Sequence, residues 1–292
     1  MTRVPPARVI QLANGVRTKL QGLVRRMVPP EIGLLELASG FMATQAIYAA
    51  AKFRIADVLA DGPRSATEIA AEVGSDPDAT YRLLRACATY GVFAEDSDGR
   101  FGLTPLASAL RSGAANSMLP VILMLGDPRY QGSWGRLADT VETGTPGAEL
   151  LFGKPLWEYL DDDPEFAASF NNAMTRLSAL DWPTVQAAYD FTGFSTIVDI
   201  GGGHGELLAL ILDAAPAAKG VLFELPGMVD QAEEHLRQAG GGEHFRHQGG
   251  AFAGIERRVR IARRHPQTPP GRRATPARQQ LDDRRRPIAA IR

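Results

Sequence analysis

Apolar positions recur every three or four residues through most of the first 190 residues, and the period then shortens. In residues 1–30 the series Val9, Leu12, Ala13, Val16, Leu20, Leu23, Val24 and Met27 predicts a helix. Arg8, Arg17, Lys19, Arg25 and Arg26 lie between these positions, and Pro29-Pro30 end the segment. A basic amphipathic helix lies on a membrane or packs on its own protein or a partner subunit; the packed reading is preferred. Residues 31–60 predict two helical stretches, one through Leu34, Leu35, Leu37, Phe41 and Ala46-Ile47, the other through Phe53, Ile55, Val58 and Leu59. Gly62-Pro63 is a turn, and Ser65 stands three residues before Glu68, a capping-box spacing ahead of Ile69–Val73. Asp76-Pro77 open a further helix with Tyr81, Leu83, Leu84, Cys87 and Tyr90, which Gly91 stops. Val92–Ala94 and Arg100–Leu103 then flank Asp96-Ser97-Asp98-Gly99, a hairpin signal. Helix, turn, helix and hairpin make residues 31–110 a winged-helix pattern. Residues 111–190 read as mostly helical, and there Phe170, Met174 and Leu177 share a face that periodicity alone assigns to core.

The period changes at Thr196. Thr196-Ile197-Val198-Asp199-Ile200 is a β-branched run, Gly201-Gly202-Gly203-His204-Gly205 a glycine turn, and Leu207, Leu208, Ile211 and Leu212 restore the helical spacing. Strand, turn and helix open a βαβ unit. Glycines there let backbone approach a ligand, and the helix points its first N–H groups at the same spot. A second run, Gly220–Phe223, closes on Glu224 before Leu225-Pro226, and a weak third strand falls near His244–Gln248. The predicted fold class is therefore α/β: a mostly helical winged-helix domain followed, over residues 191–254, by part of a Rossmann-like domain. A dinucleotide fingerprint, G-x-G-x-x-G, fails because Glu206 stands at its third glycine. The spacing instead resembles the V-D-x-G-G-G-x-G motif of class I S-adenosylmethionine-dependent methyltransferases, in which an acid such as Glu224 can accept both ribose hydroxyls.

Composition narrows the options. A hydrophobic fraction of 45% supplies a core. The single cysteine, Cys87, excludes an internal disulfide, suggests a reducing compartment and reads as buried. The longest apolar run, Met118–Leu125, is too short to cross a bilayer, and no secretion signal is evident, so a cytoplasmic protein with no membrane partner is expected. The overall charge of −1 conceals a tail, residues 255–292, with twelve arginines and only Glu256, Asp282 and Asp283 as acids. Rich in Arg and Pro and without apolar period, the tail is expected to be disordered. It reads either as a basic arm for nucleic acid or, preferably, as translation in a shifted frame after codon 254. DNA reading by the winged helix is opposed by Asp76, Asp78, Glu95, Asp96 and Asp98, which phosphates would repel. No nucleic-acid partner is expected.

Taken together, Gly62-Pro63 with the helix to Val73, Tyr81–Arg85, Gly99–Leu106, Trp157–Leu160, Phe170–Ser178, Val198–Gly205 and Phe223–Pro226 resemble bacterial relatives of plant caffeate-type small-molecule O-methyltransferases. The resemblance spans roughly residues 35–250. It implies that the winged helix is a dimerisation domain and the protein a homodimer. It also implies S-adenosyl-L-methionine as cofactor and a small aromatic or polyketide-like hydroxyl as acceptor. By the family pattern Phe170 and Met174 line the acceptor pocket and Ser178 lies near the methionine carboxylate. Asp199, Gly201 and Gly203 hold the methionine end, Glu224 takes the ribose where the family usually has Asp, and Leu225 and Phe252 border the adenosyl group. The resemblance then lapses. Ala251 stands where an acid is expected, and no H-D-W motif supplies a general-base histidine. None of His204, His235, His244, His247 and His265 replaces it, and His204 is expected to face solvent from the turn. No catalytic residue and no metal ligand is assigned. The Asp199 strand, apolar on both faces, is expected to be left with an open edge. The chain is thus expected to be a truncated, weakly active or inactive O-methyltransferase. The alternatives are a non-enzymatic dimerisation or regulatory module built on the winged helix, and a nucleic-acid binder using the tail.

Overall fold

Prolines and side-chain caps set most of the helix boundaries in the computed structural model, which describes residues 7–224, Met228, Gln231, Ala232, His235 and residues 288–291. The chain divides into two compact units, Met1–Leu177 and Ser178–Arg292. The first opens with α1 (Ala7–Arg25), α2 (Pro30–Ala38), α3 (Gly40–Lys52) and α4 (Ile55–Val58). It continues through β1 (Arg64–Ser65), α5 (Ala66–Val73), α6 (Pro77–Thr89), β2 (Phe93–Glu95) and β3 (Arg100–Leu103). Short helices follow: α7 (Pro105–Ser108), α8 (Leu119–Gly126), α9 (Pro128–Trp134), α10 (Leu137–Thr143), α11 (Gly147–Phe152) and α12 (Leu156–Asp162). The long α13 (Pro164–Ala188) carries the chain into the second unit.

The winged helix forms as its periodicity implies. Ser65 accepts the Glu68 N–H while the Glu68 carboxylate accepts the Ser65 N–H, a complete capping box on α5. Asp76 caps α6 through the Ala79 N–H, and Pro77 occupies the first turn, where no donor is needed. The wing is a small antiparallel sheet, order β1-β3-β2, with Phe93 opposite Leu103 and Arg64 opposite Phe101. Strand β1 is an addition to the expected hairpin: two residues long, it is defined by its ladder to β3 and not by any apolar alternation. Ile55, Leu59, Ile69, Leu84, Cys87, Phe93 and Phe101 are fully buried and form the core of this domain. Burial pushes the Cys87 thiol up to about 11, in keeping with an inert structural cysteine.

On the opposite account, much apolar surface in α1–α3 stays exposed: Leu12, Val16, Leu20, Leu23, Val24, Ile32, Leu34, Leu35, Leu37, Phe41 and Met42. The stretch Pro30–Lys52 is long and apolar enough to cross a membrane by length and composition. Farther on, Arg129 on α9 ties the Asp127 cap to the start of α13. It bonds Asp127 at 2.8 Å and Asp163 at 2.7 Å, and its guanidinium lies 4.7 Å from the Phe166 ring centre.

In the second unit β4 (Thr196–Ile200), α14 (Glu206–Ala214) and β5 (Lys219–Phe223) form the expected βαβ opening, with β4 and β5 parallel. Ile197, Leu208, Ile211, Leu212 and Leu222 are buried between sheet and helix, with Phe191 and Ala232. Two expectations need correction. Residues 288–291 lie in the tail expected to lack structure, yet they form β6 (Ile288–Ile291). Strand β6 pairs parallel with β4, from Thr196↔Ile288 to Asp199↔Ile291, so the sheet order is β5-β4-β6 and β4 has no open edge over those residues. Ile288-Ala289-Ala290-Ile291 is an apolar run in an otherwise Arg- and Pro-rich tail, and an unpaired row of β4 N–H and C=O groups gives it a ladder to join. The third strand expected near His244–Gln248, and residues 255–287 of the tail, lie outside the described residues.

Candidate functional site

The C-terminal ends of β4 and β5 bring two carboxylates to one turn. Parallel register sets Asp199 opposite Leu222 and Ile200 opposite Phe223, so Glu224 emerges level with the start of the glycine turn. The Gly201 N–H donates to the Phe223 carbonyl at 2.8 Å, continuing the ladder one residue past the strand. The Gly203 N–H donates to Glu224 Oε2 at 2.7 Å. Gly201, Gly203 and Gly205 have φ of 76°, 58° and 79°, values that side chains with a Cβ resist. Gly202 is required for another reason: a Cβ there would run into Asp199 Oδ2 and approach Leu222 Cδ1 to 2.6 Å. The turn lies at the start of α14, whose first N–H groups lack partners within the helix.

Asp199 is the electrostatic centre of this arrangement. It is 4% exposed, and its Oδ2 has no hydrogen-bond partner among the described residues. Burial pushes its carboxyl up to about 6, and the neighbouring Glu224 charge adds to the shift. A buried carboxylate with an unused acceptor, next to a second acid, suits a ligand that brings hydrogen-bond donors and positive charge.

His204 departs from expectation. It is half-buried, hydrogen-bonded to Gln231, with its ring centre 5.6 Å from that of His235. Burial holds its imidazole below the usual histidine range. His235 Nε2 in turn donates to Glu206 Oε2 at 2.6 Å. The sequence reading missed this pair of tethers because Gln231 and His235 lie far along the chain from their partners and belong to no motif.

Of the remaining residues singled out by sequence, Phe170 and Met174 lie on α13 in the first unit. They are half-buried against Val121, Met124 and Ala173, with Trp157 edge-on to Phe170 at 6.0 Å. Ser178 is half-buried on the same helix, in the second unit. Leu225 and Phe252 lie outside the described residues. The structure thus brings Asp199, Gly201, Gly203 and Glu224 into one site. Among the described residues no group of three or more His, Cys, Asp or Glu is placed to hold a metal ion.

Comparison with known proteins covers both units. A family described as an O-methyltransferase dimerisation domain matches residues 35–113, and one described as an O-methyltransferase domain matches residues 134–256. A phenazine O-methyltransferase, PhzM, of Lysobacter antibioticus is 40% identical over 225 residues, 77% of this chain and 66% of that protein. The solved structure of the mitomycin 7-O-methyltransferase MmcR superposes with a TM-score of 0.67 at 33% identity, covering 74% of this chain and 64% of that one. An O-methyltransferase of neocarzinostatin biosynthesis, NcsB1, solved with S-adenosylmethionine and 2-hydroxy-5-methyl naphthoic acid, superposes at 0.57 and 32% identity over 69% of this chain and 62% of that one. The chain spans somewhat less than two thirds of the length of the relatives it matches.

Proposed function

We propose, from the premise that the chain belongs to the O-methyltransferase family that carries its own dimerisation domain, that it binds S-adenosyl-L-methionine at the glycine turn and serves methyl transfer to a hydroxyl of a small aromatic or polyketide-like acceptor. The observation that carries this reading is the buried Asp199 with its unused Oδ2, set beside Glu224 around a glycine turn at the ends of two parallel strands. Those residues fit the cofactor: two carboxylates face a ligand that is cationic at its ammonium and sulfonium, and the turn admits it without a Cβ in the way. When bound, the cofactor supplies an electrophilic methyl group.

The chain's own residues would bind and orient. Asp199 would accept hydrogen bonds at the methionine end, backed by Gly201 and Gly203. Glu224 would reach the ribose hydroxyls, with Ser178 near the methionine carboxylate. Leu225 and Phe252 would border the adenosyl group. Phe170 and Met174 would form an apolar wall against a planar acceptor; the phenazine and naphthoate named for the relatives belong to that class. Catalysis of this kind rests on positioning and on removal of the hydroxyl proton. None of the chain's five histidines lies in an H-D-W motif, so the 292-residue chain should turn over slowly: a general base contributes ~10²–10⁴-fold.

We also assign the exposed apolar surface of α2 and α3 to a second copy, since it lies largely within the matched dimerisation region, and keep the cytoplasm as the compartment. No observation favours a non-enzymatic module. For nucleic acid, Arg85 on the candidate reading helix is engaged by Glu95 at 3.3 Å, which argues against a phosphate contact there.

Calorimetric titration of the full chain with S-adenosylmethionine tests the reading. Binding is expected, and Glu224→Ala should weaken it by roughly 1–3 kcal/mol, the scale for hydrogen bonds to a charged group. Equal affinity for parent and variant would remove Glu224 from the ribose site.

A further inference from the structure

The glycine turn is fastened at three points to the chain that follows β5. Glu224 Oε2 accepts the Gly203 N–H at 2.7 Å, Gln231 hydrogen-bonds His204, and His235 Nε2 donates to Glu206 Oε2 at 2.6 Å. Gln231 and His235 are both helical and four residues apart, so they share a face. Ala232, between them in sequence, is buried in the core with Leu208 and Ile211 of α14. The two tethers therefore reach the turn from an anchored element.

We propose that Gln231 and His235 are positioning residues that clamp the glycine turn in its cofactor-binding shape. The proposal rests on the reading of that turn as the S-adenosylmethionine cradle. Its physical basis is the entropy of the turn. Gly201, Gly203 and Gly205 all adopt positive φ, and a glycine-rich segment has more freedom to lose on ordering than any other. A turn that ordered only on binding would charge that loss to the ligand; a turn already tied to residues beside the buried Ala232 does not. His204 and Glu206 bracket Gly205, so fixing their side chains fixes the backbone between them. The ring of His235 lies alongside that of His204, tilted by 30°, which links the two tethers into one unit. Burial favours the neutral form of His204, so that ring sets no extra positive charge beside a cationic ligand.

Neither residue touches the proposed ligand in this account, so removing a tether should lower affinity through the conformation of the turn. The test uses the full 292-residue chain with S-adenosylhomocysteine as probe, read by calorimetry and by amide hydrogen exchange at residues 202–205. His235→Ala and Gln231→Ala should each weaken binding about tenfold, and exchange in the turn should accelerate. His235→Gln, whose Nε2 takes the place of the imidazole Nε2 toward Glu206, should stay within about threefold of the parent and leave exchange unchanged. Gln231 is exposed, so its alanine variant leaves the core intact and serves even where His235→Ala folds poorly. Alanine variants with parental affinity overturn the clamp. A parent chain that takes up no S-adenosylhomocysteine overturns the cofactor reading instead, while unchanged exchange in the turn of the variants independently overturns the tethers.

Discussion

Asp199 is destabilising where it stands. Its carboxyl titrates near 6 in the folded protein, against 3.8 for an ordinary aspartate. Below about pH 3 the group is protonated in both folded and unfolded chains and imposes no penalty. As pH rises toward 6, the unfolded chain loses its proton first, so folding stability falls. Above 6 the loss is complete, about 3 kcal/mol at most for a shift of this size. Asp199→Asn should therefore raise the unfolding free energy by roughly 1–3 kcal/mol at pH 8 and by little at pH 4. It should also weaken S-adenosylmethionine binding. Urea denaturation at the two pH values measures the first effect; an Asn variant less stable than the parent at pH 8 would contradict it. The placement of Asp199 and Glu224 at neighbouring strand ends is legible in the sequence, because Asp199 lies near the end of one apolar run and Glu224 directly follows the other. The setting of His204 was not legible. Its position in the turn suggests solvent, and what buries it comes from Gln231 and His235, which carry no pattern of their own.

Among the elements, the glycine turn tolerates least. Gly202 has no room for a methyl group: the added carbon would meet the Asp199 carboxylate and the Leu222 side chain. Gly202→Ala should push β4 and β5 apart at their ends, destabilising the second unit by about 1–3 kcal/mol, the usual range for overpacking. The first unit should keep its own transition, and differential scanning calorimetry that resolves the two units would show the shift in one of them. The helices of the winged domain follow from periodicity and caps, since Ser65, Glu68, Asp76 and Pro77 act within a turn of their own positions. Strands β1 and β6 do not follow in that way. Two residues of β1 and four of β6 become strand only through the ladders offered by β3 and β4, partners distant in sequence. Local reading cannot weigh a pairing whose other half lies tens of residues away.

For the molecule as a whole, the exposed apolar surface of α2 and α3 matters most. Leu34, Leu35 and Leu37 are each more than 60% exposed in the single chain. Exposed apolar surface of this kind marks an interaction site. Sedimentation velocity at micromolar concentration should find a dimer. Leu34→Glu with Leu37→Glu should convert it to monomer without unfolding it, since neither side chain supports the core. A monomeric parent would refute the assignment of this face to a second copy.

The juxtaposition of Asp199 and Glu224 has a further consequence for the lifetime of the protein. The turn holds two acids close together, and the Glu224 charge adds to the burial that disfavours ionised Asp199, so on the proposed reading any cation that settles there stabilises the fold in proportion to its occupancy. A ligand present at a hundred times its dissociation constant adds about 2.7 kcal/mol. Stability differences of that size change how much of a protein survives cellular proteolysis. The abundance of this chain should then track the methyl-donor supply of the cell that makes it, so that starvation for the cofactor removes the protein as well as its substrate.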